Sequence, residues 1–64
     1  MIFDTVLRLR NLYEELSTVE QEYVSALLED REVWELTELK TRINDLKRRI
    51  ILYSEAVNHE TILN

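Results

Sequence analysis

The chain has 64 residues, contains no cysteine, glycine or proline, and carries a formal net charge of −5. A single domain of this size buries only about 60% of its unfolded surface when it folds alone. With no cysteine and one histidine, disulfides and a metal site are excluded as sources of stability, which leaves association with other chains. The acidic charge also argues against duplex nucleic acid as a partner, because phosphate binding requires a broad basic surface.

Residues 2–28 carry a heptad pattern of apolar side chains that predicts the first helix. The apolar side chains at heptad positions d and a are Ile2, Val6, Leu9, Tyr13, Leu16, Tyr23 and Leu27. Leu12, Val19 and Ala26 widen this face at position g, as in a bundle helix. Residues 17–20 match a capping box, which can open a new helix. Because the heptad register passes through them unchanged, we expect one continuous helix.

The apolar pattern changes phase after residue 28, which predicts a tight turn at residues 29–32. Asp30 is a favourable N-cap residue, and the acidic side chains of Glu32 and Glu35 suit the first turn of a second helix. The alternative is one bent helix of about 55 residues with a stutter at this point.

The second helix is predicted over residues 33–57 from an uninterrupted apolar seam with 3-4 spacing. Its members are Leu36, Leu39, Ile43, Leu46, Ile50, Tyr53 and Val57. Residues 58–64 have lost the heptad pattern and are expected to fray. Residues 1–64 are thus predicted to form a single helical-hairpin domain.

A hairpin folded within the turn pairs positions that are equidistant from it along the chain. The a and d rows of the first helix then face the seam of the second, and Leu16 faces Leu46. Glu20 is a carboxylate in an a position and would enter this interface beside Arg42. We therefore predict a Glu20–Arg42 ion pair that sets register or partner choice.

Two antiparallel helices leave part of each broad apolar face uncovered. We therefore predict an all-α fold in which two antiparallel helical hairpins dimerise into a four-helix bundle. This architecture resembles that of the Rop plasmid copy-number regulators, in which a hairpin of similar length dimerises. No sequence motif is shared, and the first helix here is acidic, so the resemblance implies architecture and not RNA binding.

A parallel dimer is the alternative to the antiparallel bundle. It is favoured by the β-branched residues Ile43, Ile50 and Val57 at position a, with Leu39 and Leu46 at position d. Higher oligomers are the third arrangement that the seam permits.

Two groups of residues are candidate binding sites. Trp34, Ile51 and Leu52 are apolar side chains off the seam, and we predict that they contact a protein partner or a second copy of the chain. The basic residues Arg42, Lys47, Arg48 and Arg49 are the alternative site, for a small anion such as a nucleotide at a boundary between subunits. No phosphate-binding loop and no converging acid, base and nucleophile occur, so we expect no enzymatic activity, metal or cofactor.

The sequence therefore predicts a small cytoplasmic interaction protein that inhibits or bridges a protein partner through helix surfaces. The alternative is an oligomer that sequesters a small anion. In its size, acidity and lack of motifs, the chain resembles the accessory regulators and host-defence antagonists encoded by phages and other mobile elements. This resemblance implies inhibition or sequestration. No membrane location is expected, because the chain lacks a run of about 18 apolar residues and a secretory signal.

Overall fold

The computed structural model describes the backbone of residues 2–63 and the side chains of residues 3–59. Within this range two helices, α1 (Ile2–Leu28) and α2 (Val33–Leu63), pack against each other as an antiparallel hairpin. α1 passes through residues 17–20 without a break. α2 continues past residue 57, where the sequence analysis ends it, because no glycine or proline follows to interrupt its backbone hydrogen bonds. Met1 and Asn64, which end the predicted domain, lie outside the described residues.

Asp30 ends the first helix and does not cap the second. Its φ of 57° lies in the left-handed region. Its N–H donates to the carbonyl of Leu27 at 3.2 Å, and the N–H of Arg31 donates to the carbonyl of Ala26 at 3.0 Å. These bonds form a Schellman motif, in which the left-handed residue is usually glycine. The chain has no glycine, and aspartate is one of the residues that tolerate this conformation, so the predicted N-cap role of Asp30 is wrong.

Glu32 precedes the first residue of α2 and opens its hydrogen-bond ladder. Its carbonyl accepts hydrogen bonds from the N–H groups of Glu35 at 3.1 Å and Leu36 at 3.2 Å. The neighbouring Arg31 guanidinium lies 2.8 Å from the Glu29 carboxylate and 3.7 Å from that of Glu35. These ion pairs connect the end of α1 to the first turn of α2.

The core is a single apolar layer between the two helices. Its buried members are Val19, Ala26, Ile43, Leu46 and Ile50. The half-buried side chains that pack against its central cluster are Leu12, Leu16, Tyr23 and Leu39. No polar side chain among the described residues is buried. The layer therefore derives its stability from apolar burial alone.

α1 packs against α2 with its g and d rows, whereas the a and d rows were predicted to face α2. Val19 in the g row is only 2% exposed, whereas Tyr13 in the a row is 53% exposed. The a-row part of the predicted pairing is therefore wrong, although Leu16 in the d row packs against the cluster that contains Leu46, as predicted. Burying the g row keeps the a-row carboxylate of Glu20 in solvent, which avoids the cost of desolvating a charge.

The hairpin exposes more surface than a compact chain of its mass. It measures 49 × 14 × 12 Å and has a radius of gyration of 14.8 Å, against about 11 Å for a compact chain of this length. Its accessible surface is 5199 Å², against about 4,300 Å² for a folded monomer of the same mass. The extra surface lies along the sides of the two helices.

Candidate interaction surface

α1 carries two apolar seams, about 110° apart around the helix axis. The inner seam occupies g and d positions and faces α2; it consists of Thr5, Leu9, Leu12, Leu16, Val19, Tyr23 and Ala26. The outer seam occupies a and e positions and faces solvent; it consists of Phe3, Val6, Arg10, Tyr13, Ser17, Glu20, Val24 and Leu27. A helix with one neighbour needs one apolar stripe, whereas a helix inside a bundle has two neighbours to contact.

The outer seam is an uncovered apolar row along most of α1. Its large apolar side chains, which are 45–72% exposed, are Phe3, Val6, Tyr13, Val24 and Leu27. Shallow grooves adjoin the seam on both sides of its midpoint. Single exposed apolar residues are ordinary on a protein surface, but several of them aligned along one helix face indicate an interaction surface.

Two opposite charges interrupt the apolar row, one on each side of its midpoint. Arg10 Nε lies 3.3 Å from Glu14 Oε1, and both side chains are largely exposed. Glu20 takes part in none of the ion pairs between described residues. It lines a groove together with Lys40 and Lys47 at the adjoining edge of α2. The seam therefore presents one positive and one negative group that lie within an otherwise apolar or small-residue row.

The predicted Glu20–Arg42 ion pair does not form. Arg42 Nη2 instead donates a 2.8 Å hydrogen bond to Glu15 Oε1, and this bond and the charge of the carboxylate raise the pKa of Arg42. The orientation of α1 about its own axis explains why Arg42 pairs with Glu15 and not with Glu20. Its c row, which contains Glu15, adjoins the α2 edge that carries Arg42. Its a row, which contains Glu20, adjoins the opposite edge, where Lys40 and Lys47 lie.

The four residues predicted to bind an anion do not form one cluster within this chain. Arg42 is paired with a carboxylate of α1, and Arg49 Nε lies 3.2 Å from Asp45 Oδ2. Lys47 lines the groove on the other side of the hairpin, and Arg48 is exposed. Anion binding at a subunit boundary stays a prediction, with two of its four cations already neutralised.

Trp34, Ile51 and Leu52 are exposed, as expected for side chains off the seam. Trp34 lies beside the turn, in a groove that Glu22 and Arg42 also line. Ile51 follows it by about 25 Å along the helix, and Ile51 and Leu52 point about 100° apart. The three side chains therefore do not share one patch, and their contact with a partner stays a prediction.

Known proteins offer no relative from which a role could be transferred. No protein-family model, curated protein or solved structure matches this chain. No helix in the described part of the chain has the length and apolar character needed to cross a bilayer. Among the described side chains, no three His, Cys, Asp or Glu residues group as metal ligands would. The geometry of α1 is therefore the main guide to function.

The outer seam is the feature that the sequence analysis missed. That analysis assigns Val6, Tyr13 and Leu27 to the core, because they share the a row of a helix with a wide apolar face. The sequence does contain a signal for the outer seam, in the e row. Phe3 and Val24 of that row combine with the a-row residues to give a second apolar pattern with 3-4 spacing. This second row contains two charged residues, which is the property that directs it toward solvent in a single hairpin.

Proposed function

We propose that this chain is a non-enzymatic interaction protein that acts by binding another protein chain through the outer seam of α1. The observation that carries the proposal is the exposed apolar row of this seam, whose large side chains are 45–72% exposed. Covering this row removes apolar surface from water, which stabilises a complex by roughly 25 cal/mol for each Å² buried. Tyr13, near the middle of the row, is one of the residue types that most often anchor protein interfaces.

The small core of the hairpin supports the same function. Five of the described side chains are buried, and the molecule has more surface than a compact monomer of its mass. Binding through α1 would place a second apolar layer on the hairpin, so that association and stability rise together. A chain without disulfides depends on such coupling more than a larger domain does.

The heptad spacing of the outer seam supports recognition by another helix. Anchors at positions 6, 13, 24 and 27 fall on one stripe, the pattern that a helix presents to a groove or to a partner helix. Arg10 and Glu20 lie within the stripe and can orient the partner through complementary charges.

Interaction is favoured over anion sequestration by the state of the basic residues. An anion bound at Arg42 and Arg49 would have to displace the carboxylates of Glu15 and Asp45. A thermal-shift panel of nucleotides tests this alternative directly. Stabilisation by a nucleotide that is lost on Arg49→Ala would support sequestration instead of protein binding.

Site-specific photo-crosslinking tests the proposed function. A photoreactive amino acid replaces Tyr13 in the outer seam or, as a control, Thr18 on the polar back of the same helix. In cells that naturally produce the chain, we expect a defined cross-linked protein product from position 13 and none from position 18. Val6→Glu should abolish the product without loss of helical content. The absence of any product from position 13 would refute binding through this seam.

A further inference from the structure

The two halves of the outer seam are complementary to each other. Its eight members form pairs that are equidistant from the midpoint of the seam, near residue 15. These pairs are Phe3 with Leu27, Val6 with Val24, Arg10 with Glu20, and Tyr13 with Ser17. Two pairs are apolar, one joins opposite charges, and one sets an aromatic ring against a small side chain. We infer that the occupant of the outer seam is a second copy of this chain, with the two α1 helices antiparallel about a twofold axis near residue 15.

This inference rests on the proposed function, because it names the partner that the outer seam binds. Each of the four pairs joins an e position to an a position. In an antiparallel coiled coil the helices run in opposite directions, so each core position of one helix faces the other type of core position on its partner. The pairs between e and a positions have this layer structure. The twofold axis repeats every pair, so that the Arg10–Glu20 contact between copies occurs twice.

The two charges of the seam do not pair with each other within one copy. Arg10 and Glu20 lie ten residues apart on one helix, about 15 Å along its axis, so they cannot pair within one copy. Glu20 has no ion pair among the described residues, and the Arg10–Glu14 pair is exposed and therefore weak. In the antiparallel dimer each carboxylate meets a guanidinium, which offsets the cost of enclosing a charge in an apolar contact.

The same charges select the antiparallel orientation and exclude the parallel one. In a parallel, in-register pair of α1 helices, Glu20 would face Glu20 of the other copy, and Arg10 would face Arg10. Like charges at the centre of a contact are strongly unfavourable.

Charge reversal tests both the second copy and its register, with the mass measured by sedimentation. R10E places two carboxylates opposite each other at both symmetry-related 10–20 pairs, and E20R places two guanidinium groups there. We expect each variant to self-associate about tenfold or more weakly than wild type. An equimolar mixture of R10E and E20R should regain the dimer mass, because both charge pairs then become attractive. The double variant R10E/E20R should also regain it, and T18K on the polar back is the matched control that should leave the mass unchanged.

Disulfide trapping gives a second test that does not depend on electrostatics. The chain has no cysteine, so V6C and V24C each introduce a single thiol. In the proposed register, residue 6 of one copy faces residue 24 of the other, while the two copies of residue 6 lie about 27 Å apart. Oxidation of mixed V6C and V24C should therefore give a cross-linked heterodimer, and V6C alone should give none.

Three results would overturn the inference while circular dichroism shows intact helices. They are a wild-type mass of one chain at about 100 μM, single charge variants that associate as wild type does, or a mixture that fails to restore the dimer. If the protein is monomeric but position 13 still cross-links to a different protein, the second copy is wrong and the proposed function stands. If the dimer forms as expected, the cross-linked product from position 13 will have the mass of two copies of this chain.

Discussion

Arg42 on α2 donates a 2.8 Å hydrogen bond to Glu15 on α1, and this contact is the one ion pair that joins the two helices among the described residues. The side chains are 57% and 45% exposed. A pair this exposed contributes little to stability. The contact instead reports how α1 is oriented about its axis. The c row of α1 adjoins the α2 edge that carries Arg42, and its a row does not.

A double-mutant cycle tests this rotation of α1. We expect Glu15→Gln and Arg42→Gln to show a coupling energy of about 0.2–1 kcal/mol in urea unfolding, decreasing at high salt as surface charges are screened. The matched cycle with Glu20→Gln and Arg42→Gln should show a coupling near zero. A larger coupling for Glu20 than for Glu15 would favour the pairing predicted from the sequence over the one in the structure.

The apolar layer predicts a strong contrast between two leucines of α2. Leu46 is 2% exposed and packs in the central cluster, whereas Leu52 is 58% exposed. Leu46→Ala should lower the free energy of unfolding by about 2–5 kcal/mol, because it removes buried methyl groups and leaves a cavity. Leu52→Ala should change it by about 0.5 kcal/mol or less. Urea unfolding of both variants at one protein concentration measures the difference, and equal losses would contradict the observed core.

The left-handed residue in the turn predicts a stabilising substitution. Asp30→Gly should raise the free energy of unfolding by about 1 kcal/mol, because glycine adopts the φ of 57° without the steric penalty of a Cβ. Glu38→Gly, at an exposed position within α2, is the control and should lower it by a similar amount. Thermal melts of both variants give the sign. A loss of stability on Asp30→Gly would support the single bent helix, in which residue 30 is helical.

Trp34 is the one tryptophan of the chain and reports on its own contacts. Because its side chain is exposed beside the turn, its fluorescence should resemble that of tryptophan in water and respond to a soluble quencher. Trp34→Lys should leave the helical content unchanged. In a dimer formed through the outer seam of α1, the emission should not shift as protein concentration rises. A blue shift with concentration would instead place Trp34 in the contact between copies.

Most of the architecture could be predicted from local rules. Heptad spacing and the phase change after residue 28 predict two antiparallel helices, because apolar periodicity and short connections act within a few residues. The role of Asp30 could not be predicted in the same way. Aspartate suits both an N-cap and a left-handed C-terminal position, and the choice depends on which carbonyls lie within reach of its N–H group.

The composition and apolar pattern of the chain were enough by themselves to determine that it forms helices, where they turn, and that Leu16 and Leu46 belong to the layer between them. The tertiary structure decided which of two adjoining apolar rows α1 turns toward α2. Both rows have heptad spacing, so periodicity cannot separate them. The packing against Ile43 and Leu46 buries the uncharged row of Val19 and Ala26 and leaves Glu20 in solvent, because burying the other row would take an unpaired carboxylate out of water.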